Sequence, residues 1–208
     1  MEEKKLGKLK VYFGPMFSGK TAVLVEDGTR LPRIAKRKVL VCMPTIDTRR
    51  SRTEIVSLSG ARVSAIQVGD PFEILRLSAE QSTQEVLIDE VQFFRQRVKK
   101  ENIEGWSIVF VVKVLLQQGT NVRVAGLNTS FLGYPFPPTT DLMGMADDLV
   151  KMRAICTVCG EPADWSLRLI DGQPARTGEL ILVAGTQGEE GVGCETYEAR
   201  CSNHHPFL

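Results

Sequence analysis

Gly14, Pro15, Met16, Phe17, Ser18, Gly19, Lys20 and Thr21 spell G-x-x-x-x-G-K-T, a spacing that wraps backbone N–H groups around phosphate. The two glycines permit the wrap, and Lys20 is long enough to reach a β- or γ-phosphate. Thr21 offers a hydroxyl to Mg²⁺. An apolar, β-branched run at residues 9–13 leads in, and Thr-Ala-Val-Leu-Val-Glu leads out as a helix start. That is the strand–loop–helix setting the motif needs, with the positive end of a helix dipole added. A glycine turn without a ligand is the competing reading. The setting favours a nucleoside triphosphate.

A second cluster is Val86-Leu87-Ile88-Asp89-Glu90, an apolar strand closing on two acids. Ligands of an open parallel sheet sit at the carboxyl ends of its strands. Asp89 is then the Mg²⁺ partner of the phosphate loop. Glu90, one residue on, is expected on the opposite side of the strand, where it could take a proton from an attacking hydroxyl or water. Alone, an Asp-Glu pair is an ordinary solvated turn; beside a phosphate loop it reads as function.

Cys156 and Cys159, then Cys201 and His204, form two C-x-x-ligand pairs across a long spacer. Three thiols and an imidazole suit tetrahedral Zn²⁺, a structural ion with no open position for water. His205 stands as an alternative fourth ligand. A CxxC by itself would fit a redox pair or buried thiols equally well. Cys42 lies in an apolar strand and reads as core.

These groups must be positioned by a frame. Strand-like runs fall at residues 9–13, 38–43, 62–68, 85–88 and 121–126, with helical stretches at 71–80 and 106–118. Strands alternating with helices make an α/β fold, a phosphate-loop parallel sheet with flanking helices. Residues 141–154 have helical apolar spacing. The helix after the phosphate loop is expected to stop early, at Gly28 or Pro32. The basic cluster at 30–38 reads as a solvated face. From Cys156 the texture turns to short apolar runs, glycine and cysteine. The chain is therefore divided into an ATP-binding domain at 1–154 and a small zinc-binding domain at 155–208, ribbon-like and carrying a long loop.

With 26 basic and 25 acidic residues the net charge is +1, which speaks against a polyanion-binding surface and so against nucleic acid as a partner. No apolar run reaches membrane-spanning length, and the first residues lack a signal-peptide core. Five cysteines, an odd number, argue against a disulfide framework. The expectation is a cytoplasmic protein without a membrane partner.

Taken together the motifs resemble the type II, zinc-containing thymidine kinases. The carriers are GPMFSGKT at 14–21, PTIDTR at 44–49, LIDEVQFF at 87–94, AGLNTSFLGYPF at 125–136, ADDLVKMRAICTVCG at 146–160 and ETYEARCSNHH at 195–205. The resemblance implies transfer of the ATP γ-phosphoryl group to the 5′-hydroxyl of deoxythymidine, with Mg²⁺ and a structural Zn²⁺, in a homotetramer. It makes Glu90 the base and puts Arg49 near the 5′ region or the transferring phosphoryl, with Lys20 on the phosphates. It lines the nucleoside pocket with Met16, Phe93, Phe131 and Tyr197, sets Ser166 near a base oxygen, and gives backbone contacts around Gly193. Phe94 and Phe136 read as core. Asn128 stands where the family commonly has Asp, and the motif at 192–197 is one residue shorter than the family's. Those departures keep a broader deoxynucleoside kinase as an alternative. A nucleotide-gated, zinc-containing nucleic-acid binder is a weaker one, and a GTPase lacks its N-K-x-D motif.

Overall fold

The computed structural model describes residues 5–45, 53–100, 103–177 and 195–208. Arg49 and Gly193 lie outside the described residues. The chain opens with β1 (Leu9–Phe13), α1 (Lys20–Arg33) and β2 (Val39–Pro44). A short hairpin follows, β3 (Glu54–Val56) and β4 (Arg62–Ser64), then β5 (Ile66–Val68), α2 (Phe72–Gln81) and β6 (Glu85–Ile88). A second hairpin, β7 (Arg97–Lys100) with β8 (Ile103–Trp106), leads into α3 (Ser107–Gln117) and β9 (Asn121–Gly126). After α4 (Thr139–Met143) comes β10 (Asp148–Lys151). The remainder is β11 (Ala154–Ile155), β12 (Pro162–Ala163), β13 (Trp165–Ile170), β14 (Gln173–Pro174) and β15 (Glu195–Arg200).

Six strands form one sheet in the order β10-β1-β9-β6-β2-β5, every neighbouring pair parallel. Such a sheet is covered on both faces, which is why its strands read as nearly unbroken apolar runs. Alternation along each strand divides the core in two. Leu9, Val11, Leu40, Cys42, Val86, Ile88, Val122 and Val124 face α2 and α3, meeting Ile74, Ile108, Val111, Val112 and Leu115. Tyr12, Val41, Met43, Leu87 and Ala125 face α1 and the first hairpin, meeting Leu24, Val25 and Ile55.

Three expectations change, and one element is new. α1 does not stop at Gly28; it runs 14 residues and includes Pro32. Gly28 is on its buried face, where a Cβ would lie 3.0 Å from Val63 Cγ2 and 3.5 Å from both Leu87 Cδ2 and Val41 Cγ2. Close packing on the sheet therefore outweighs the helix cost of glycine, and Pro32 falls in the last turns where little is lost. The run at 62–68 divides between two sheets: β4 pairs antiparallel with β3, and β5 pairs parallel with β2. Helical spacing at 141–154 gives only α4, because residues 148–151 pair with β1 and complete the sheet edge. The β7–β8 hairpin was not signalled.

The residues after Lys151 build a separate, smaller set of strands: β14-β13-β15 in one sheet and β11-β12 in another. Their own core is Ala154, Cys156, Ala163 and Ala199.

Candidate active site

The phosphate loop lies between β1 and α1. Gly14 passes so near β10 that a Cβ would stand 2.1 Å from the Met152 carbonyl oxygen, and Gly19 turns at φ 85. Phe17 also has a positive φ, 63°, at the loop's exposed tip. Lys20 is buried, and its Nζ donates to the Pro15 carbonyl at 2.6 Å and to Ser18 Oγ at 3.3 Å. Ser18 Oγ donates to the same carbonyl at 2.8 Å.

Asp89 follows β6 at the carboxyl edge of the sheet, beside β2 and β9. Thr21 Oγ1 donates to its Oδ1 at 3.4 Å and the Glu90 N–H at 3.0 Å. Burial, then the charge of Glu90, pushes the Asp89 carboxyl up to about 7, against the opposing pull of the Glu90 N–H, Thr21 and Lys20. Burial likewise draws the Lys20 ammonium below its usual value, opposed by the charges of Glu90 and Asp89. An acid this costly to ionise, touching a threonine hydroxyl, is an oxygen donor set that fits a small hard cation.

Glu90 lies beyond the strand, so its placement is set by a turn rather than by strand alternation. β6 ends at Ile88, and Glu90 adopts φ 49, ψ 44 ahead of a single 3₁₀ turn over Val91–Phe93. The charges of both carboxylates are felt at Lys20, where they oppose the effect of its burial.

In the C-terminal strands Cys156, Cys159, Cys201 and His204 bring their donor atoms within 4.8 Å of one another. Cys159 Sγ and Cys201 Sγ are 3.8 Å apart; His204 Nδ1 lies 3.2 Å from Cys201 Sγ and 3.8 Å from Cys156 Sγ. A tetrahedral ion with metal–sulfur bonds of about 2.3 Å needs edges of about 3.8 Å, so the donors fit zinc in kind and spacing. Burial raises the Cys156 thiol, but the N–H groups of Cys201, Val158 and Cys159 bring it down to about 6, toward the thiolate that binds metals. His205 is turned away from the cluster. It is buried between Trp165 and Phe207, with Nε2 3.3 Å from the Ser166 carbonyl oxygen.

Ser166 ties this part to the phosphate loop, since its buried Oγ accepts the Met16 N–H at 2.9 Å. Phe131 is 3% exposed, its ring under the Arg168 guanidinium at 5.3 Å, and Arg168 is paired in register with Tyr197. Phe93 and Tyr197 are half-buried, while Phe94 and Phe136 are core. Sequence reasoning overlooked Gln92, whose Nε2 donates to Glu90 Oε2 at 2.5 Å. A polar residue amid Val91, Phe93 and Phe94 was the signal.

The sequence profile described as "Thymidine kinase" matches residues 7–205. The chain belongs to the thymidine kinase family. A thymidine kinase of Thermococcus kodakarensis is 41% identical over 204 residues, covering 96% of this chain and 94% of that protein. Another of Coprothermobacter proteolyticus is 41% identical over 201 residues, covering 96% and 90%. Domain III of the Thermotoga maritima replication initiation protein DnaA superposes with a TM-score of 0.36 and 13% identity, over 73% of this chain and 56% of that one. That likeness is too slight to bear on the thymidine kinase fold or its chemistry. Among the described residues no helix is long and apolar enough to cross a membrane.

Proposed function

We propose that this thymidine kinase transfers the γ-phosphoryl group of ATP to the 5′-hydroxyl of deoxythymidine, giving dTMP and ADP. The observation that carries the reading is Asp89, with Glu90 next to it, hydrogen-bonded to Thr21 of the phosphate loop at the sheet edge. Phosphoryl transfer asks little covalent chemistry of a protein beyond placement and charge neutralisation. The N–H groups of residues 14–21 hold the phosphates, and Lys20 exchanges the Pro15 carbonyl for β- and γ-phosphate oxygens. Thr21 and Asp89 would hold Mg²⁺, which when bound neutralises charge on those oxygens. Glu90 takes the 5′-hydroxyl proton as that oxygen bonds to the γ-phosphorus and the bond to the β-phosphate oxygen breaks.

Met16, Phe93, Phe131 and Tyr197 line the nucleoside slot, with Ser166 beside it. Arg49 acts at the 5′ end, and the backbone near Gly193 meets the base. Cys156, Cys159, Cys201 and His204 hold Zn²⁺, which pins both ends of the chain between them. The setting inferred is a cytoplasmic homotetramer with an ATP-binding domain at 1–154 and a zinc-binding domain at 155–208. Membranes and nucleic acids are not partners in this reading.

Purified protein with labelled ATP and a panel of nucleosides tests the reading. Thymidine-dependent label transfer is expected, with ribonucleosides poor acceptors; equal use of several deoxynucleosides would favour the broader kinase that Asn128 leaves open. Glu90→Gln should lower turnover by about 100-fold or more while ATP binding persists. Turnover within threefold of the parent would remove Glu90 as base.

A further inference from the structure

We infer that Gln92 is a positioning residue for Glu90, fixing the carboxylate that acts as base; this rests on the kinase reading above. Gln92 is completely buried. Its Oε1 accepts the Leu127 N–H at 3.1 Å and its Nε2 donates to Glu90 Oε2 at 2.5 Å. The backbone dictates which way the amide faces. An N–H can only donate, so the amide oxygen must meet Leu127 and the NH₂ must meet the carboxylate.

The surroundings are built to hold this bridge. β9 approaches so closely that a Cβ on Gly126 would sit 2.9 Å from Gln92 Oε1, 2.8 Å from Val91 Cγ1 and 2.7 Å from Thr139 Oγ1. Any larger residue there would push the amide off its place. Glu90 is in the left-handed region at φ 49, ψ 44, a conformation that non-glycine residues adopt at a cost. Its turn is closed by the Phe93 N–H on the Glu90 carbonyl at 3.0 Å. The backbone thus aims the side chain, and the amide of Gln92 fixes the plane of its carboxylate. A base held to within about half an ångström works where a freely rotating one does not. No proton passes through Gln92; it keeps its own N–H throughout.

The test is a double-mutant cycle on turnover. Gln92→Met keeps length and volume but removes the donor, and should lower kcat at least about tenfold while the KM for ATP stays within about threefold. In a Glu90→Gln background the same change should cost less than about twofold, because nothing remains to be positioned. Equal losses in both backgrounds, or a loss below twofold in the parent, would overturn the inference. Gln92→Asn, one methylene too short to span both partners, is read in the same cycle if the Met variant does not fold. Parent protein inactive toward every nucleoside would instead overturn the kinase reading.

Discussion

At the scale of single residues, the site stores unfavourable electrostatics that its ligands relieve. Asp89 in the folded chain holds its proton up to about 7, against 3.8 when unperturbed. A carboxyl raised in this way contributes stability that is whole below about pH 4 and is lost as pH rises toward 7. Neutralising it should therefore help the ligand-free fold only where Asp89 would otherwise be charged. Without nucleotide or divalent cation, Asp89→Asn should match the parent within about 1 °C at pH 4. At pH 8 it should exceed the parent by about 2 kcal/mol, roughly 4–8 °C for a chain of this length. Part of the full shift is given back, since Lys20 loses a countercharge. Thermal unfolding across this pH range measures the difference, and a gap that does not widen with pH would show that Asp89 ionises as an ordinary acid.

At the scale of elements, Gly28 shows how packing decides what local propensity leaves open. The sequence marks it as a helix stop, yet α1 uses it to lie against Val41, Val63 and Leu87. Gly28→Ala should be nearly neutral, because a gain of about 1 kcal/mol in helix propensity offsets the push on Val63. Gly28→Val has no such room and should cost about 1–3 kcal/mol, readable as a lower denaturation midpoint; a neutral Val would mean that α1 can lift off the sheet. The same lesson separates what was legible from what was not. β1, β2, β6 and β9 were plain because a doubly covered parallel strand is a short apolar run between turns, whatever its neighbours. β10 was hidden: its Leu149 and Val150 continue the helical spacing of α4, and only pairing with β1 makes them a strand. Asp89 and Glu90 were visible as chemistry, but the left-handed turn at Glu90 was not. Gln92 was lost among apolar neighbours because its two partners, Glu90 and Leu127, come from different strands' ends.

For the molecule as a whole, the question is what joins the two groups of strands into one working site. Among the described residues, the cluster around the metal-ligand cysteines is small, Ala154, Cys156, Ala163 and Ala199 with Cys201 packed against it, and such a small apolar cluster favours a metal staple. A structural ion on Cys156, Cys159, Cys201 and His204 would add to the stability of these strands. The strand β13 carries Ser166, whose Oγ accepts the Met16 N–H of the phosphate loop at 2.9 Å. Loss of the ion should thus be felt at the nucleotide. Chelation, or Cys156→Ser, is expected to lower the thermal midpoint, speed proteolysis after residue 155 and weaken ATP binding about 2- to 10-fold, the worth of one lost hydrogen bond. Ser166→Ala should reproduce the weaker ATP binding with full zinc content, which separates the bridge from the ion. Zinc analysis, limited proteolysis and ATP titration on the same samples decide it. If the chelated protein kept its midpoint and bound ATP as tightly as the parent, the two strand groups would have to be independent.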